Sequence, residues 1–174
     1  MVHLIAGLSQ VIDAHNKSNL YWVHIGWTVA MLCIVILVWL GSFVISPLSE
    51  ISAGHFLNLL AYAIVTSLMS GLLYPVGNIH VDDYHAHFQA NRSRLYMLGI
   101  IFVFIDAIDG ALEHYNAAIP WDIGQYGTLS VWMIAFVCGL VKNDKRIDLI
   151  IIMLILVGII GWFASIIDTS VLVW

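Results

Sequence analysis

LYMLGIIFVFIDAIDGALEHY, residues 95–115, is an apolar run long enough to cross a bilayer, with three carboxylates and a histidine towards its end. A transmembrane helix needs roughly 17 to 25 predominantly apolar residues. Residues from about 95 to 112 meet that length, so Asp106 and Asp109 lie at membrane depth, with Glu113 and His114 at the far end. At 100° per residue from Asp106, Asp109 falls near −60°, Glu113 near −20° and His114 near +80°. The four ionisable groups therefore share one side of the helix. An isolated carboxylate in hydrocarbon costs a few kcal/mol even on the mildest scale, so that side must face protein or a water-filled cavity.

The rest of the chain supports the membrane assignment. Its 174 residues are 61% hydrophobic and 10% charged, with a mean hydropathy of +0.96. A soluble domain carries about a quarter charged residues, too many for this chain to be one. Four further runs have spanning length, at about 21–45, 56–73, 123–141 and 149–174. The expected fold is an all-α integral membrane protein of five transmembrane helices in one domain, 1–174. A short interfacial helix precedes them, because Leu4, Ile5, Leu8, Val11 and Ile12 follow helical spacing opposite Ser9, Gln10 and Asp13. The N-terminus shows no signal-peptide pattern.

Basic residues orient the bundle. With five spans, Lys17, Arg92, Arg94, Lys142, Lys145 and Arg146 all fall on one side, while Glu50, Glu113 and Asp122 fall on the other. The positive-inside rule then predicts a cytoplasmic N-terminus and an outside C-terminus, in a bacterial or archaeal cytoplasmic membrane. Arg92 and Arg94 are expected to mark the interface and hold anionic headgroups or a partner's carboxylates. Trp22 and Trp27 on the basic side, with Trp39, Trp121 and Trp174 on the other, resemble aromatic belts. Cys33 and Cys138 sit inside apolar runs and read as buried thiols.

Antiparallel threading brings His55, Asp109, Glu113, His114 and Asp168 to one outer level, with Asp106 deeper. Three chemistries suit these residues. Two imidazoles with carboxylates suit iron, copper, zinc or manganese, although adjacent Glu113 and His114 do not make the Glu-x-x-His pair of di-iron bundles. Asp106, Asp109 and Glu113 make a proton ladder. His55 and His114, with His24 on the inner side, are the candidate axial ligands of haem b in a b-type cytochrome. A second, looser group lies in HVDDYHAH, residues 80–87: His80, Asp82, Asp83, His85 and His87 form either a weak metal site or a solvated loop.

No GxGxxG, P-loop, GxSxG or HExxH motif is present, and no basic patch suggests nucleic acid. A chain with so little mass outside the membrane is expected to work as a subunit of a larger redox or energy-transducing complex or as a homo-oligomer, and not as a catalyst on its own. Its outer His/carboxylate cluster would bind a metal or handle protons. The alternatives are the cytochrome and a purely structural or assembly subunit without a cofactor, in which Asp and His tie helices together.

Overall fold

A computed structural model describes residues 21–45, 53–74, 83–117 and 123–168. They form five helices: α1 (Trp22–Ile45), α2 (Ala53–Leu73), α3 (Tyr84–Ala117), α4 (Ile123–Val141) and α5 (Lys145–Asp168). All five are long and apolar enough to cross a membrane. The expected N-terminal interfacial helix, with Lys17, lies outside the described residues.

Each helix packs on its chain neighbours, and α1 closes the ring against α5. A ring of five antiparallel neighbours has an odd number of members, so α1 and α5 meet in parallel. The chain has two ends on this view: a basic end, where α1, α3 and α5 begin, and an acidic end, where α2 and α4 begin.

The interior is aromatic and aliphatic. Trp27, fully buried, stacks on Phe136 at 6.2 Å and meets Tyr96 edge-on at 5.6 Å. Met31, Ile151 and Ile155 fill the space around them. Offset and edge-to-face geometry is what ring quadrupoles prefer. The outside is apolar too: Phe56, Leu57, Leu60, Ile64 and Leu68 of α2 and Ile150, Met153, Val157 and Ile160 of α5 are exposed. In water such faces would aggregate, whereas in lipid they are the solvated faces. Trp22 and Trp39 are exposed near the two ends of α1, as belt residues would be, but Trp27 belongs to the core. Cys33 is half-buried and Cys138 is exposed, so the expectation of a buried thiol fails at Cys138.

Three helices, α2, α3 and α5, begin earlier than their apolar runs. Hydropathy marks where the oily part of a helix starts, not where its hydrogen-bonding starts. α3 begins at Tyr84 rather than near Leu95 because Asp83 caps it: its carboxylate accepts from the backbone N–H of His85 at 2.8 Å and of Ala86 at 3.3 Å. Half of HVDDYHAH is therefore a helix start and not a loop. Asp144 does the same for α5, accepting from Arg146 N–H at 2.8 Å. At 34 residues α3 is about 51 Å long, well beyond a ~30 Å hydrocarbon layer. Asp83→Ala is expected to cost about 0.5–2 kcal/mol of stability. Hydrogen exchange that speeds up in Tyr84–His87 but not in the centre of α3 would confirm it; uniform protection there would refute it.

Candidate functional site

α2 is polar inside and apolar outside. Its buried residues are His55, Asn58, Tyr62, Val65, Thr66, Met69, Ser70 and Leu73. At the acidic end this face meets the carboxylates of α3. The Tyr62 hydroxyl donates to Asp106, and the Asn58 amide donates to Asp109 at 2.7 Å. His55, 2% exposed, lies within electrostatic reach of Asp109. Glu113 lies within electrostatic reach of both aspartates. The three-, four- and seven-residue spacings that put these acids on one side of α3 thus place them in one seam against α2.

α4 flanks the seam. A Cβ on Gly110 would sit 2.9 Å from the Tyr126 hydroxyl and 3.3 Å from the Gln125 amide nitrogen. The ends of these two side chains lie over α3 at Gly110 and would have to shift slightly for any larger residue there. Tyr126 is within electrostatic reach of Asp106 and Glu113.

The expected outer cluster is thus assembled in part. His55, Asp106, Asp109 and Glu113 share the α2/α3 seam. His114 is half-buried, its ring edge-on to Tyr115 at 5.6 Å. The side chain of Asp168 lies outside the described residues. Among the described residues, no three His, Cys, Asp or Glu side chains converge closely enough to hold a metal ion.

At the basic end the histidines cap a helix. The last carbonyls of any helix lack intrahelical donors. Here His24 Nε2 donates to Leu73 O at 2.9 Å and His87 Nε2 donates to Leu72 O at 3.0 Å, so α1 and α3 both satisfy the end of α2. His24 is buried and its Nδ1 has no hydrogen-bond partner among the described residues. With Nε2 committed to a carbonyl, only that nitrogen remains for an axial bond to haem. The Thr28 hydroxyl lies 3.0 Å from the Tyr74 hydroxyl. Burial pushes the Tyr74 phenol above its usual range, with the Thr28 hydrogen bond pulling the other way. Of the HVDDYHAH residues, Asp83 is the α3 cap, His87 serves α2, and His85 is exposed with its ring edge-on to Tyr21 at 4.7 Å. His80 and Asp82 lie outside the described residues.

Sequence reasoning missed a second buried polar centre. Asp148 is fully buried, and Arg92 is only 4% exposed. Arg92 Nη2 donates to Asp148 Oδ1 at 2.7 Å, and Nε lies 3.0 and 3.2 Å from the two carboxylate oxygens. The same Nη2 donates to Lys142 O at 2.6 Å, and the Tyr96 hydroxyl donates to Asp148 Oδ1 at 2.6 Å. The guanidinium also lies over the Tyr96 ring, 4.9 Å from its centroid. The expectation that Arg92 holds headgroups is corrected: a desolvated guanidinium needs a carboxylate, and Asp148 is at its level on α5. Arg94, two residues on, is exposed. The available signal was an acid in the first turn of one apolar helix and a base in the first turns of another with the same direction.

The chain matches no protein-family model, and no curated protein or solved structure matches it.

Proposed function

We propose that this is a small proton-handling membrane protein, with Asp106, Asp109 and Glu113 as proton carriers in the α2/α3 seam. The observation that carries this reading is the gathering of acids away from the described cations. Three carboxylates on one helix face share a seam with the Tyr62 phenol and the Asn58 amide, and the His55 imidazole and Tyr126 phenol lie nearby. Among the described residues every Lys and Arg lies towards the opposite end. Acids that served only as helix ties would each be paired with a cation, because an uncompensated charge in hydrocarbon costs a few kcal/mol. Acids that share protons among themselves need no such match. The metal and haem readings draw no comparable support from the seam, because Asn58 and Tyr62 occupy the positions beside the aspartates.

The basic residues favour an orientation with the basic end in the cytoplasm and the acidic end outside, in a bacterial or archaeal cytoplasmic membrane. Its small extramembrane mass favours work within a larger redox or energy-transducing assembly or a homo-oligomer.

The test is an infrared titration of the protein in lipid nanodiscs, following the carbonyl stretch of protonated carboxyls. Bands that titrate and are changed by Asp109→Asn and by Tyr62→Phe are the expected result. Carboxyl bands indifferent to both substitutions, in protein that stays folded by circular dichroism, would refute the proposal. So would a near-stoichiometric transition metal in protein purified without chelator and lost in Asp109→Asn.

A further inference from the structure

We infer that the polar seam continues along α2 to the basic end, making this helix the wall of a proton conduit across the whole hydrocarbon layer, with His24 as its terminal group. The inference rests on reading the α3 acids as proton carriers and extends it from one end of the bundle to the other.

Five of the eight buried residues of α2 are polar: His55, Asn58, Tyr62, Thr66 and Ser70. After a first step of three they recur every four residues, which keeps them on one helix face. Tyr74 continues the same step just beyond the helix and is buried. From His55 to Tyr74 the line rises about 28 Å, close to the ~30 Å hydrocarbon thickness. The outward residues Phe56, Leu57, Leu60, Ile64 and Leu68 are apolar, with Ser67 a polar exception among them. Val65 and Met69, buried beside the line, keep it narrow.

The groups along it follow one another in order, with Thr66, Ser70 and Thr28 each held by a backbone carbonyl of its own helix. Tyr62 donates to Asp106. The Thr66 hydroxyl donates to Tyr62 O at 2.7 Å, and the Ser70 hydroxyl donates to Thr66 O at 2.7 Å. Beyond them the Tyr74 hydroxyl meets the Thr28 hydroxyl at 3.0 Å, which in turn lies 2.9 Å from His24 O. A single Ser or Thr bonded to its own helix four residues back is common in membrane helices. Here it occurs at two successive positions of one face, Thr66 and Ser70, on a line between carboxylates at one end and a buried imidazole with a bare Nδ1 at the other.

Transfer conserves protons and needs no oxidant or reductant. A proton adds to a Glu113 carboxylate oxygen and passes to Asp109 and Asp106. Each hydroxyl in turn forms one O–H bond as it breaks another, rotating off its carbonyl. Successive positions of the line are four residues, about 6 Å of helix rise, apart, and a water between polar partners carries the proton across each step. His24 Nδ1 takes up the last proton while Nε2 keeps its own, and releases it at the basic end. One proton is taken up for each released, and the gradient sets the direction.

The test uses the full chain in proteoliposomes holding a trapped pH-sensitive dye, driven by a potassium diffusion potential. The wild type is expected to change internal pH faster than empty vesicles. Thr66→Val with Ser70→Ala, and separately His24→Phe, are expected to slow that change by about tenfold or more, the rate equivalent of roughly one lost hydrogen bond in the barrier. Ser67→Ala, exposed on the opposite face of the same helix, is expected to leave it unchanged. Wild-type flux at the empty-vesicle level would overturn the conduit, and so would flux that survives in both variants. The infrared titration of the acids, run on the same samples, separates the two ideas. Titrating carboxyls without flux reject the conduit alone, and carboxyls that ignore Asp109→Asn reject the carriers as well. Circular dichroism and gel filtration of each variant exclude misfolding, and His24→Gln supplies a second, polar replacement at the terminal group.

Discussion

Arg92→Leu is expected to cost about 3–5 kcal/mol of stability, the range for removing one partner of a buried ion pair. The loss comes less from the attraction than from what stays behind: Asp148, fully buried, would keep only the Tyr96 hydroxyl as a donor. The carbonyl of Lys142 would lose its Arg92 donor as well. Three elements are released together, because Arg92 ties the start of α3 to the end of α4 and the start of α5. Thermal unfolding in detergent, followed by near-ultraviolet circular dichroism of the Trp27/Tyr96/Phe136 stack, reads the effect. The double variant Arg92→Met, Asp148→Leu is expected to recover most of the loss, since apolar replacements of a whole buried pair are often neutral or better. A single variant as stable as the wild type would show that water reaches the pair.

Gly139→Val is expected to cost about 3 kcal/mol, the upper end of the usual range for overpacking. A Cβ at Gly139 would lie 2.7 Å from Tyr96 Cζ, 2.8 Å from its Cε1 and 2.9 Å from Ile151 Cδ1. Tyr96 has little freedom to yield: its hydroxyl is committed to Asp148 and its ring carries Arg92 on one face and Trp27 at its edge. Moving the ring therefore strains the ion pair too, and the two substitutions are expected to be non-additive in a double-mutant cycle. The comparison is Gly127→Ala on the same helix, where a Cβ meets nothing within 4 Å. There the helix gains propensity by up to about 1 kcal/mol. Equal melting temperatures for the two glycine variants would rule out the close approach of α4 to Tyr96.

The membrane class, the number of helices and the side of α3 that carries the acids were legible in the sequence. Each follows from a one-dimensional rule: apolar length against hydrocarbon thickness, and 100° per residue. α4 begins and ends where its apolar run does, at 123 and 141. The starts of α3 and α5 were not legible from hydropathy, because Asp83 and Asp144 begin them through side-chain bonds to backbone N–H groups. In the candidate site the acids of α3 and His55 of α2 were singled out by being ionisable at membrane depth. Asn58 and Tyr62 were passed over because an amide and a phenol in an apolar run draw no attention until the opposing acids are known.

By itself the sequence determined the five helices long and apolar enough to cross a bilayer among the described residues, and that acids at that depth must turn away from lipid, since hydrophobic length and the cost of desolvating charge are properties of residues and spacing. Only the tertiary structure decided the partners. Depth along a helix is readable from residue number, but rotation about its axis is set by packing. That rotation turned Arg92 inward to Asp148 rather than out to headgroups, gave the carbonyls at the end of α2 to His24 and His87, and set Asn58 and Tyr62 against Asp109 and Asp106.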